Sequence, residues 1–201
     1  MKILILGGFL GSGKTTLLLQ MARDMAEHST SESEHKVIIL ENEVGQDGID
    51  DKLLGSSGFQ VSSLFNGCIC CTLSGEIIGA VVDIEKKYNP EWLIIETTGL
   101  AYPGLIRRNL QEAIGKDAFI CTIVDVSRWK RFLIPMHELL KGQVECADLV
   151  LLNKADLVDA EVMDKVESDV HQFREGVPCI RTSGLAAVDP DIWQKIREGC
   201  A

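Results

Sequence analysis

Short apolar runs alternate with amphipathic stretches along most of the chain. Residues 3–6, 37–40, 92–95, 119–124, 149–152 and 178–181 are largely apolar and rich in Ile, Leu and Val, with a further strand-like stretch at 61–65. Between them, apolar positions recur at helical spacing over 14–27, 73–87, 104–113, 135–144 and 160–173, and again from Pro190. The first pattern suits strands buried on both faces, the second amphipathic helices. Their alternation predicts a doubly wound α/β fold with a largely parallel sheet, helices on both faces, and ligands at the carboxyl ends of the strands. Residues 29–35 read as a polar turn. Residues 43–58 form the one long stretch without clear periodicity, with glycines at 45, 48, 55 and 58, and stretches of this length are usually functional or disordered. No repeat, low-complexity tract or linker breaks the pattern, so residues 1–201 are expected to form a single domain.

Composition narrows the function classes. A hydrophobic content of 46% with 25% charged residues is ordinary for a globular protein. A net charge of −10 without a Lys/Arg-rich stripe argues against a nucleic-acid surface, which needs clustered cations to neutralise phosphates. No apolar stretch approaches the roughly 18 residues of a membrane span. The first apolar run is preceded only by Lys2 and interrupted by Gly7, Gly8 and Lys14, which is unlike a secretory signal, so a cytoplasmic location is expected. Seven cysteines, three of them at 68, 70 and 71, fit reduced thiols better than a disulfide framework.

Residues 8–15 read Gly-Phe-Leu-Gly-Ser-Gly-Lys-Thr between the first strand and the first helix. This is the phosphate-binding loop of a P-loop NTPase, and its strand–loop–helix setting is the context that makes the motif meaningful. Gly8, Gly11, Ser12 and Gly13 allow the backbone amides to turn toward phosphates. Lys14 reaches the β- and γ-phosphates, Thr15 offers a hydroxyl to Mg²⁺, and Thr16 is expected among the nucleotide-binding residues. After the strand at 149–152 comes Asn153-Lys-Ala-Asp156, an arrangement that selects guanine. Asp156 accepts from guanine N1–H and the 2-amino group, while the Lys154 stem lies along the base. Adenine lacks the 2-amino donor and leaves the carboxylate unsatisfied. Ser183 and Gly184, after the last strand, are placed to lend amides to guanine O6. Glu96 ends a buried strand where it can support Mg²⁺ or its water, and Gly99 lets its backbone N–H approach the γ-phosphate. Hydrolysis at such a site rests on positioning and charge stabilisation; Arg107 and Arg108 read as solvated helix arginines, with charge stabilisation as the alternative. A P-loop kinase acting on a metabolite and a non-catalytic GTP-binding switch remain as alternatives.

Residues 66–72, Asn-Gly-Cys-Ile-Cys-Cys-Thr, place Cys68, Cys70 and Cys71 within four positions. In an extended segment Cys68 and Cys70 project to one side and a turn at Cys71 brings the third sulfur round, leaving a fourth ligand to come from elsewhere. Soft sulfur donors favour Zn²⁺ or Cu⁺ over Mg²⁺ and also hold Co²⁺ or Ni²⁺. Cys121, Cys146, Cys179 and Cys200 read as packing residues.

Taken in order, the P-loop, Glu41-Asn-Glu-Val-Gly45 with Gly48-Ile-Asp50, Gly67-Cys-Ile-Cys-Cys-Thr-Leu73, Glu96-Thr-Thr-Gly-Leu-Ala101 and Asn153-Lys-Ala-Asp156 resemble the CobW-type metal-handling GTPases, relatives of the hydrogenase and urease nickel-insertion GTPases. The resemblance implies a GTPase using Mg²⁺ with GTP, whose cysteine motif binds Zn²⁺, Co²⁺ or Ni²⁺ near the switch segments. It also implies delivery of the metal to a target protein or cofactor-assembly protein, and homodimerisation is compatible with it. Carried over, Glu43 joins Cys68, Cys70 and Cys71 as a metal ligand, and Asp50 lies near Mg²⁺. The chain departs from the family pattern at Gln46, where a second glutamate is common, and at Tyr102, where an aspartate is usual. Larger members also carry a carboxy-terminal domain that this sequence does not show.

Overall fold

Pairing of the apolar runs produces a sheet in which every strand-to-strand register is parallel. The computed structural model describes residues 1–33, 35–41, 59–63, 73–184 and 188–200. Among these, the strands are β1 (Lys2–Gly8), β2 (Val37–Glu41), β3 (Phe59–Ser63), β4 (Trp92–Glu96), β5 (Phe119–Asp125), β6 (Leu149–Asn153) and β7 (Cys179–Arg181). The helices are α1 (Lys14–Glu27), α2 (Leu73–Tyr88), α3 (Pro103–Ile114), α4 (Trp129–Leu133), α5 (His137–Val144), α6 (Ala160–Phe173) and α7 (Pro190–Gly199). The strand order is β3-β2-β4-β1-β5-β6-β7.

Alternation along β1 explains the two layers of core. Ile3 and Ile5 face Ile77 and Val81 of α2, Leu110 of α3 and Val144 of α5. Leu4 and Leu6 face the other way, toward Leu17, Leu18 and Met21 of α1 and Trp193 and Ile196 of α7. A central strand buried on both faces must be apolar at every position, which is why these strands read as continuous runs. β1 lies between β4 and β5, with the earlier strands on one side and the later ones on the other. Its carboxyl end is therefore the topological switch point, where an open α/β sheet leaves a crevice for ligand.

Two elements differ from the sequence expectation. β3 starts at Phe59, two residues before the expected 61–65, because Phe59 pairs with Val37 and Ser63 with Glu41 along the whole of β2; residues 64 and 65 lie outside the described residues. The helix expected over 135–144 begins at His137, as α5, and a short helix that was not expected, α4, precedes it, with Pro135 in the turn between them.

Candidate functional site

The loop leaving β1 is shaped by glycine. Gly13, the residue before α1, has a φ of 97°, and a β-carbon there would collide with the side-chain amide of Asn153, so both its dihedral and its space exclude other residues. No side chain caps α1, and its first turn carries no acidic residue. Its leading amides and the positive end of its dipole therefore face the crevice without a carboxylate of their own helix competing for them. Ser12 Oγ is fully buried in the loop and has no hydrogen-bond partner among the described residues. Lys14 is 9% exposed, and its ammonium donates to the carbonyls of Gly8 at 3.1 Å and Phe9 at 3.5 Å. That folds it back over the loop interior. Thr15 Oγ1 donates to Glu96 Oε1 at 3.1 Å, joining the helix start to the end of β4.

Close approach of backbone fixes the segment after β4. A β-carbon on Gly99 would stand 2.7 Å from the Leu10 amide nitrogen, so this glycine lets the segment lie against the phosphate-loop residues. Thr97 Oγ1 donates to the Leu6 carbonyl at 3.1 Å. On the far side, the buried Gln143 side chain of α5 donates to the carbonyls of Gly99 at 3.0 Å and Ala101 at 3.2 Å. Tyr102 lays its ring against Gly142 of α5.

The Asn-Lys-x-Asp segment closes the other side. Asn153 is 2% exposed; its Nδ2 donates to the Ser12 carbonyl at 2.7 Å, and its Oδ1 accepts from the Gly184 amide at 2.9 Å. Both ends of the amide are thus engaged within the protein, fastening the phosphate loop to the loop after β7. Lys154, with a left-handed φ of 66°, donates to the Gly11 carbonyl at 2.8 Å and to Asp125 at 2.6 Å. Asp156 follows in a single 3₁₀ turn, Ala155–Leu157, and is exposed. Gln20 of α1 donates to the Gly184 carbonyl at 3.1 Å and accepts from the Val188 amide at 3.2 Å.

Asp125, at the end of β5, is a central residue that the motif reading does not single out. Its carboxylate takes Lys154, Arg128 Nε at 2.6 Å and Ser127 Oγ at 2.6 Å. Burial pushes the carboxyl up, but the hydrogen bonds from Lys154, Ser127 and Arg128 outweigh it and hold it below the ordinary value. Arg128 also donates to the Leu10 carbonyl at 2.6 Å. The available signal was a lone carboxylate ending an otherwise apolar strand, the same signal that drew attention to Glu96. Gln143 and Gln20 give no comparable signal, because each sits inside a helical pattern.

Lys14, Thr15, Glu96, Gly99, Asn153, Lys154 and Gly184 thus gather around the phosphate loop, with Ser183 beside Gly184 in the chain. Thr16 is exposed in the first turn of α1. Arg107 does not join them. It pairs with Asp117 at 2.7 Å and Asp148 at 3.1 Å, residues that precede β5 and β6 at the amino-terminal ends of the strands, opposite the phosphate loop. Arg108 is exposed beside Glu112. Glu43, Asp50, Cys68, Cys70 and Cys71, with Gln46, lie outside the described residues.

A family model described as the CobW/HypB/UreG nucleotide-binding domain matches residues 2–181. A zinc chaperone CobW from Pseudomonas aeruginosa is 32% identical over 85% of this chain and 53% of its own length. The zinc chaperone YjiA of Escherichia coli is 33% identical over 77% of this chain and 49% of its own. The chain thus spans about half the length of these curated relatives. Among solved structures, HypB from Helicobacter pylori in complex with nickel superposes with a TM-score of 0.64 at 22% identity, over 98% of this chain and 84% of that one, a likeness of fold. The matched span runs from β1 through β7, with the phosphate loop, Glu96 and the Asn153–Asp156 segment inside it: this chain belongs to the CobW/HypB/UreG family of nucleotide-binding domains.

Proposed function

We propose that this protein binds and hydrolyses GTP with Mg²⁺ and couples its nucleotide state to binding and delivery of a transition metal, zinc foremost, to a receiving protein. The observation that carries the reading is the level ending of three strands. Glu41, Ser63 and Glu96 stand side by side in register, and Glu96 contacts Thr15. The strands leading into 42–58 and 64–72, which hold Glu43, Asp50 and the three cysteines, therefore finish at the rim that carries the phosphate loop. Relatives named zinc chaperones support zinc as the cargo.

The donor set suits Mg·GTP. The orphaned buried Ser12 hydroxyl, the uncapped start of α1 and the Thr15–Glu96 pair together offer amides, a hydroxyl and a carboxylate to a hard cation and its phosphates. Bound Mg²⁺ would supply charge neutralisation at the β- and γ-phosphate oxygens. In this reading Thr15, Glu96 and Asp50 hold that ion. Lys14 exchanges its loop carbonyls for phosphate oxygens and stabilises the negative charge of transfer to water. Asn153 positions the loops. Lys154 covers the base, Asp156 accepts from its N1–H and 2-amino groups, and the Ser183–Gly184 backbone faces O6. Gly99 follows the γ-phosphate, so its loss on hydrolysis releases the segment that Gln143 steadies.

Phosphate release from GTP and ATP, followed with Mg²⁺ present, tests the reading. The protein is expected to favour GTP. Lys14→Ala should slow release by about a hundredfold or more, and Asp156→Ala should shrink the preference for GTP by roughly tenfold or more. Equal use of both nucleotides, or unaltered hydrolysis in Lys14→Ala, would contradict it.

A further inference from the structure

A second cluster of metal-binding side chains lies away from the crevice, where α6 packs beside the edge strand β7. Glu167 and His171 are one helical turn apart on α6, so they share a face, and Cys179 opens β7. One ligand atom from each lies within 4.8 Å of the others, and all three residues are half-buried. His171 Nε2 and Cys179 Sγ are already 3.6 Å apart. A tetrahedral Zn²⁺ site built from ordinary Zn–S, Zn–N and Zn–O bonds has ligand-to-ligand edges of roughly 3.4–3.8 Å, so the cluster needs to contract by about an ångström.

We propose that Glu167, His171 and Cys179 form a second transition-metal site, distinct from the thiol motif at 68–71, that takes Zn²⁺ or Co²⁺ with its remaining position open to water. Mixed carboxylate, imidazole and thiolate donors match these borderline ions and discriminate against Mg²⁺. Packing against α6 and β7 limits access to one side, and three protein ligands leave an exchangeable position.

The present contacts show what an ion must displace. His171 Nε2 lies 3.0 Å from the Val177 carbonyl, and Cys179 Sγ lies 3.6 Å from the same oxygen. On metal binding the imidazole proton moves to Nδ1 and the thiol proton is lost to solvent. Glu167 is held by Arg181, through Nη2 at 2.8 Å and Nε at 3.3 Å, while Asp164 accepts from the same Nη2 at 2.6 Å. An incoming cation takes the Glu167 carboxylate and leaves Arg181 on Asp164. Arg181 therefore competes with the metal, and its removal is expected to tighten binding, the reverse of what loss of a ligand does.

The test uses the full chain carrying Cys68→Ser, Cys70→Ser and Cys71→Ser, titrated with Co²⁺ in the presence of a phosphine reductant. This background separates the second site from the proposed metal-handling function, which concerns those three cysteines. One Co²⁺ per chain is expected, with thiolate-to-cobalt charge-transfer absorption that disappears on further Cys179→Ser substitution. His171→Ala should weaken binding by about tenfold or more, whereas Arg181→Gln should strengthen it several-fold. Unchanged thermal melting and guanine-nucleotide binding in each variant keep the comparison within folded protein. Failure of the background protein to show thiolate-bound Co²⁺, persistence of the band in Cys179→Ser, or weaker binding in Arg181→Gln would overturn the proposal.

Discussion

A few side chains at the crevice serve as fasteners, and their effects are separable from ligand contact. Asp125 is the clearest. It is buried, yet three side-chain donors and the Ser127 amide converge on it, two of the side chains also gripping the phosphate-loop carbonyls of Leu10 and Gly11. Replacing it with Asn removes the charge while keeping the shape, and should cost about 1–3 kcal/mol of stability at neutral pH. Because the folded carboxyl is held below its ordinary value, this contribution is complete above the unfolded value of about 3.9 and is lost as pH falls through the lower folded one. In urea unfolding, the gap between parent and Asp125→Asn should stay level between about pH 5 and 8 and narrow as pH falls below about 4; a gap that widens or stays level on acidification would contradict the charge assignment. Asn153 is the complementary case. Its motif implies a nucleotide role, and both ends of its amide are engaged inside the protein, so in the proposed reading it serves the site by joining the two loops.

At the scale of elements, the sequence was most legible where local chemistry and periodicity agreed. α6 begins as expected at Ala160 because Asp159 caps it, accepting from the Val162 amide at 2.9 Å. α1 starts at Lys14 because the glycine before it takes a left-handed conformation. α4 was hidden because five residues are too short to show a helical period; tertiary contact holds it instead, with the buried Trp129 indole donating to Asp169 at 3.2 Å. Pro135 read as a helix start, yet it lies in the turn after α4. The clamp on Gly99 was equally invisible, since the meeting of two loops distant in sequence is set by packing. Gly99→Ala should therefore damage function before fold: the added methyl must displace Leu10, lowering guanine-nucleotide affinity by tenfold or so through the phosphate loop, with melting lowered by only a few degrees. Nucleotide titration beside a thermal melt checks this, and unaltered affinity would show that the close approach has no bearing on the site.

Across the whole molecule, the sheet brings distant motifs to one rim. β1, β4, β5 and β6 deliver the phosphate loop, Glu96, Asp125 and Asn153, while β2 and β3 end level with β4. The order of motifs along the chain made this topology legible, because a parallel sheet places successive strand ends on the same side. What the motifs did not reveal was the fastening between loops, or the mixed cluster of Glu167, His171 and Cys179, whose members look unrelated until α6 and β7 are packed together. Nor did they show that Arg107 pairs at the amino-terminal ends of the strands. None of the helices among the described residues is long and apolar enough to cross a membrane.

The proposed coupling has a thermodynamic consequence: if GTP and a metal at the cysteine motif favour the same conformation, each must alter the other's affinity by the same factor. The most direct measurement is Zn²⁺ affinity, obtained by competition with a chromophoric chelator, in protein saturated with Mg²⁺ and either GTP or GDP, with hydrolysis suppressed by a non-hydrolysable GTP analogue in a parallel series. Glu167→Gln, His171→Ala and Cys179→Ser together remove the second cluster from that comparison. The account predicts a difference of about 5- to 150-fold between the triphosphate and diphosphate states, abolished by Cys70→Ser with Cys71→Ser; equal Zn²⁺ affinity in the two states would contradict it.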